Sequence, residues 1–165
     1  QHSNVVTYNN VTIQGEMYCY GKKDIFNNCT FVLDNQYVWA YASDNIEFNN
    51  CVFETNGKAI LIYNEGDGAT NVTVKNCTFN ATAGAKAGAI ANQNCAAIEI
   101  DNTGGLAHNI TTSGNTVNAN FSGEWRIKNF VAGNAITVNG TEYTQIAVDG
   151  KLMTIDANRN VTVLE

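Results

Sequence analysis

Short runs of alternating apolar and polar residues fill this chain, and the alternation slips by one residue at a recurring point. Ile46 and Phe48 alternate up to Asn50, and Cys51 and Phe53 then resume on the opposite parity. Val72 and Val74 lead to Asn76 in the same way, and Cys77 and Phe79 follow. A period of two marks a strand with one buried face, so each slip places a bend between two strands. The bends carry a repeated phrase: FNNCTF at 26–31, FNNCVF at 48–53 and VKNCTF at 74–79. Copies this close together cannot be separate domains. Repeats of this length, built from β-branched and aromatic residues with Asn at the corners, read as the rungs of a solenoid.

The alignment extends to a weaker copy at 109–117 and a partial one at 8–13. Its corner column is Asn10, Asn28, Asn50, Asn76 and Gly114, the residue types that tolerate positive φ. Asn at a corner can also hydrogen-bond to the Asn stacked on it. A second strand set lies between the corners. Met17, Val38, Ile60 and Ile98 align as inward residues, as do Cys19, Ala40, Ile62 and Ile100, with the intervening positions pointing out. The pattern predicts an all-β fold: a parallel β-helix of about five short rungs, closed by a C-terminal antiparallel β-hairpin cap. No helical period appears, which excludes leucine-rich and α-helical solenoids.

Insertions at 65–68, 81–94 and 102–108 lengthen particular rungs. Asp24 falls where Ile46 and Val72 point inward, which predicts a local bulge. Residues 125–128 form the last outer-strand copy, placing Arg126 beside Glu99 and Lys128 beside Asp101 as cross-strand charge pairs. Beyond it, Asn139-Gly140 and Asp149-Gly150 each sit between alternating runs, the strongest short hairpin signal. The expected division is a β-helix over 1–130 and a cap over 131–165, with no comparable cap at the N-terminus.

Of 165 residues, 44% are hydrophobic and 15% charged, which excludes a disordered chain. A net charge of −6 with nine Lys and Arg argues against nucleic acid. No apolar run approaches the ~20 residues of a membrane span, so membrane insertion is not expected. The first residue is Gln and no leader follows it, which reads as a processed or excised segment. Five cysteines without a CxxC motif read as free and buried. Cys29, Cys51 and Cys77 form an inward ladder rather than a metal site. His108, in an insertion, reads as solvated.

The stacked Asn corners and NCxF rungs resemble the pectin-lyase-like right-handed parallel β-helix superfamily. The phrases YVWAY, GKAILIYNEG, AAIEID and SGEWRIKN resemble secreted or surface β-helix proteins of gut Bacteroidetes and their phages, over roughly residues 5–165. The resemblance implies an extracellular, cell-surface or virion location. It leaves the activity open, because that scaffold carries lyases, hydrolases, adhesins and phage fibres. Lyases of the superfamily use acidic calcium ligands and a basic residue as base, and no such motif matches here residue by residue.

The sharpest candidate site is an outward aromatic strip. Tyr18, Trp39 and Leu61 align on one column, and Tyr20, Tyr41 and Tyr63 on the next. Flat rings flanked by acids and amides suit a glycan, whose C–H faces are apolar and whose edges are hydroxyls. A protein partner or a second copy of the chain would suit the same strip. The alternative is a glycoside hydrolase or polysaccharide lyase fragment using two acids on one face, Glu99 with Asp101 or Glu65 with Asp67. Asn64, Glu65 and Asp67 are also candidates for a surface Ca2+ ion. No cofactor or structural metal is otherwise expected.

Overall fold

A computed structural model describes residues 4–41, 43–63, 70–90, 92–104 and 107–164. Its regular elements are all strands. The first three are β1 (Val5–Asn9), β2 (Thr12–Gln14) and β3 (Met17–Cys19). The triplet recurs as β4 (Lys23–Asn27), β5 (Thr30–Leu33) and β6 (Val38–Ala40), then as β7 (Asn45–Asn49), β8 (Val52–Thr55) and β9 (Ile60–Tyr63). It recurs again as β10 (Thr70–Lys75), β11 (Thr78–Ala81) and β12 (Ile98–Asp101), and last as β13 (His108–Ser113), β14 (Thr116–Val117) and β15 (Trp125–Asn129).

Each triplet contributes one strand to each of three sheets. The first sheet runs β1-β4-β7-β10-β13, the second β2-β5-β8-β11-β14, and the third β3-β6-β9-β12-β15. Every pairing among these strands is parallel. The registers are those of the repeat alignment: Phe26 pairs with Phe48, Val72 with Ile46, and Ile98 with Ile60.

The corners take the left-handed conformation that the residue types call for. Asn10, Asn28, Asn50 and Asn76 have φ between 54° and 56°, and Gly114 has 65°. At Gly114 space matters as well as φ, because a Cβ there would run into Asn76 Oδ1. The side-chain amide ladder, however, is one residue earlier than the corner. Asn27 donates to Asn9 Oδ1 (2.9 Å), and Asn49 donates to Asn27 Oδ1 (3.0 Å).

Inward residues of all three sheets meet in one apolar cluster. Phe31, Phe53 and Phe79 stack at 4.7 Å intervals with nearly parallel ring planes. Tyr8, Phe26 and Phe48 form a second stack at 4.7 and 5.1 Å. Cys29, Cys51 and Cys77 are buried beside them, and all five cysteines are free. The Cys51 and Cys77 thiols donate to the Phe26 and Phe48 carbonyls of the preceding repeat.

Two sequence expectations need correction. Asp24 makes no bulge: β1, β4 and β7 pair without a register shift through it. Its buried carboxylate instead accepts the Gly21 N–H at 3.0 Å, closing the corner before β4. Gly21 suits this role because a Cβ would lie 2.8 Å from Asp24 Oδ1. The irregularity occurs between β12 and β15, where the register shifts after Ile100 and sets Asn129, rather than Lys128, opposite Asp101.

Beyond β15 the chain forms β16 (Ile136–Val138), β17 (Thr141–Tyr143), β18 (Ala147–Val148), β19 (Lys151–Ile155) and β20 (Val161–Val163). β16 is one more parallel strand of the first sheet, on β13. The remainder is antiparallel: β17 on β16, β18 on β15, β19 on β18 and β20 on β19. Both hairpin signals are realised, with positive φ at Asn139, Gly140, Asp149 and Gly150. In the first and third sheets one end therefore differs from the other. At the N-terminal end β1, β2 and β3 are edge strands, while β17 and β20 edge the first and third sheets at the far end.

Candidate functional site

The outward face of the third sheet holds most of the chemistry that the repeat leaves unused. Tyr18 on β3 pairs with Trp39 on β6, and Trp39 with Leu61 on β9, as the repeat alignment requires. Tyr18 and Trp39 stack at 5.5 Å with 10° between their planes, and Tyr41 meets Tyr63 at 6.4 Å. Tyr20 packs edge-on to Tyr41 at 5.2 Å, and Trp39 edge-on to Tyr63 at 6.0 Å. The strip is thus one continuous block of rings.

Its exposure is uneven. Tyr18 and Tyr20 are 44% and 41% exposed, while Trp39, Tyr41 and Tyr63 are half-buried. Rings on neighbouring strands cover one another's faces, so the strip does not present five open faces as the sequence suggested. Tyr18, on β3, and Tyr20, just after it, are its most exposed members.

Three further residues belong to the site. Glu16 accepts from Trp39 Nε1 at 2.8 Å through Oε1 and from the Tyr18 hydroxyl at 3.2 Å through Oε2. Tyr37 packs on Trp39 at 5.0 Å, and the Lys58 ammonium lies 4.1 Å above the Tyr37 ring. Glu16 and Tyr37 continue the period-two columns Glu16-x-Tyr18-x-Tyr20 and Tyr37-x-Trp39-x-Tyr41, so extending the alternation by one step finds both. Lys58 is buried and has no such signal. Burial holds its ammonium below the usual lysine range, and repulsion from Lys128 adds to this.

The acids of the same face are placed differently from the sequence expectation. Glu99 and Arg126 sit at outward positions, yet neither side chain has any solvent exposure. Arg126 Nε and Nη2 donate to the two Glu99 oxygens at 3.0 and 2.5 Å. Its remaining donors reach the Gly88 and Asn94 carbonyls and the Gln93 side chain. The 81–94 insertion therefore lies over this part of the sheet and seals the pair. The Asn92 side chain fastens it further, exchanging two hydrogen bonds with the Val161 backbone. Burial pushes the Glu99 carboxyl up, against the pull of Arg126. Lys128 still reaches Asp101 at 3.7 Å despite the register shift. Burial raises the Asp101 carboxyl, but bonds from Thr103 and Asn129 together with Lys128 hold it below the usual range.

Glu99 and Asp101 thus share a strand as expected, but Glu99 is sealed beneath a loop and occupied by a guanidinium. Glu65 and Asp67, with Asn64, lie outside the described residues. Among the described residues, no group of three or more His, Cys, Asp and Glu side chains comes together as a metal cluster. His108 is not solvated. It is buried, neither ring nitrogen has a hydrogen-bond partner among the described residues, and burial lowers its pKa to about 4. It starts β13, between Thr70 of β10 and Ile136 of β16, which explains its enclosure. Burial also raises the Cys95 thiol to about 11, so this cysteine is packing rather than a nucleophile.

The chain matches no protein-family model, no curated protein and no solved structure. What the outer face of the third sheet can do is therefore set by its own chemistry: a ring block, a carboxylate bonded to two of its heteroatoms, and a sealed ion pair beside it.

Proposed function

We propose that this chain is a right-handed parallel β-helix, of the pectin-lyase-like kind its repeats resemble, that recognises a glycan without cleaving it. The observation that carries the reading is the ring block on the third sheet, with Glu16 fixing Tyr18 and Trp39. Rings locked by packing and hydrogen bonds lose little entropy on binding. They offer apolar surface edged by polar groups, which is what a sugar requires. The enclosure of Glu99 under the 81–94 loop supports a binding rather than a hydrolytic role, because a general acid must reach its substrate. An exported, cell-surface or virion setting fits a glycan-binding β-helix.

A second reading is an assembly subunit of a surface or phage fibre. It is favoured by the exposed Val5 and Val11 beside β1 and β2, which among the described residues are edge strands of their sheets. Glycan-array binding by the wild-type chain, lost in Trp39→Ala, supports the first reading. A stable oligomer by light scattering, with a blank array, would replace it by the second.

A further inference from the structure

A cleft of about 450 Å³ opens where the 81–94 insertion, β15 and the far end of β19 come together. Gly88, Ile90, Lys128, Ile155 and Arg159 are among the residues lining it. A space of this size suits a small organic ligand. Ile90 and Ile155 supply apolar wall, and the charged groups of the lining, Lys128 and Arg159, are both cations. The chain as a whole carries a net charge of −6.

A third cation stands at the wall. Lys58 is only 7% exposed, and its ammonium lies against Gly88, where a Cβ would meet it at 3.2 Å. Gly88 is fixed there, because its carbonyl accepts from Arg126 Nη2 at 2.8 Å. The absent side chain at Gly88 is what lets a buried ammonium approach the lining of the cleft.

The acids nearby are already engaged. Glu99 is matched by Arg126, and Asp101 lies 3.7 Å from Lys128. Asp156 accepts the Asn158 and Asn160 backbone N–H groups and the Asn160 side chain. Among the described residues, neither Lys58 nor Arg159 has an ion-pair partner. The Lys58 ammonium rests over the Tyr37 ring instead, and burial, then repulsion from Lys128, holds it below the usual lysine range. Arg159 has a φ of 66°, in the tight turn that Asp156 closes. Glycine would take that conformation without strain, whereas this chain places a guanidinium there, at the cleft.

We propose that this cleft binds an organic oxyanion, a carboxylate or sulfate carried on a frame about the size of one sugar ring, with Arg159 and Lys128 on the anionic group and Lys58 reinforcing them from beside Gly88. A guanidinium matches the geometry of such a group with paired N–H donors. A bound anion also offsets both influences that disfavour the charged form of Lys58. Ile90 and Ile155 contact the apolar part of the frame. The site is separate from the ring block and does not depend on that block taking a glycan.

The test titrates the full chain at low salt with glucose 6-sulfate, inorganic sulfate and glucose, read by the backbone amide NMR signals of Gly88, Ile90 and Arg159. Glucose 6-sulfate moves these signals saturably, inorganic sulfate binds about tenfold more weakly, and glucose leaves them in place. Arg159→Gly removes the guanidinium, keeps the backbone conformation and weakens glucose 6-sulfate about tenfold. Lys58→Met keeps an apolar stem, removes the ammonium and weakens it by about threefold or more. Lys75→Gln, on β10 of another sheet, leaves the affinity within about twofold. Unmoved signals with glucose 6-sulfate overturn the proposal. So does an affinity that Arg159→Gly and Lys58→Met leave intact, or one that Lys75→Gln lowers as much as they do. Inorganic sulfate binding as tightly as glucose 6-sulfate overturns the organic ligand.

Discussion

Arg126 grips Glu99 with two nitrogens at 3.0 and 2.5 Å, and both side chains are shut off from solvent. Adjacent outward residues on a sheet would ordinarily form a surface pair worth a few tenths of a kcal/mol. Here the 81–94 insertion lies over them. Removing one partner leaves a buried charge uncompensated, so Glu99→Ala or Arg126→Ala is expected to cost about 3–5 kcal/mol in urea unfolding. The double replacement Glu99→Leu with Arg126→Met recovers most of that loss, because the apolar pair needs no compensation.

His108 sets a pH dependence. Its pKa falls from the model-peptide value of 6.5 to about 4 through burial. The unfolded chain therefore binds a proton that the folded chain resists. The contribution is fully present above pH 6.5 and is lost as pH falls towards 4, amounting to about 3 kcal/mol. Glu99, raised by burial, works in the opposite direction over part of that range. The comparison is accordingly between wild type and His108→Leu: the variant's unfolding free energy should fall less between pH 7 and pH 4. Parallel curves would remove His108 from the account.

The corners and the core make separate demands on sequence. Asn50 has a φ of 54°, so Asn50→Ala is expected to cost about 1–2 kcal/mol, while Asn50→Gly is better tolerated. Phe53, stacked between Phe31 and Phe79, should cost about 3–5 kcal/mol as Phe53→Ala. Thermal unfolding of the three variants checks the order.

The cysteines give a labelling prediction. All five are buried and unpaired, so a thiol reagent should leave the native chain unlabelled and modify five thiols once the chain unfolds. Fast labelling of Cys29, Cys51 or Cys77 in the native state would contradict the packing of the corners.

Much of this architecture was legible because one constraint recurs. Asn10, Asn28, Asn50 and Asn76 repeat the same backbone bend, and the Cys and Phe two steps apart repeat the same buried parity, so local pattern and global stacking agree. The errors fell where a residue's surroundings come from outside its own repeat. Glu99 and Arg126 obey outward parity, but a loop from another part of the chain buries them. His108 sits in an insertion by sequence, yet starts a strand between β10 and β16. Asp24 breaks the apolar column, and its compensation, the Gly21 N–H, is a backbone group that no side-chain pattern reveals. The strip followed the same rule. Its columns were legible from parity, whereas the uneven exposure of the rings depends on how rings of neighbouring strands cover one another.

The account turns on whether sugars reach the ring block, and Trp39 can report this directly. The chain has two tryptophans; Trp125 is buried in the core, so a Trp125→Phe background leaves Trp39 as the sole tryptophan, and exciting it selectively at the red edge of the absorption band reports it alone. Titrating that protein with neutral oligosaccharides is predicted to give a saturable change in Trp39 emission, abolished by Tyr18→Ala. Unchanged emission across the whole series, from a folded and monomeric protein, would contradict it.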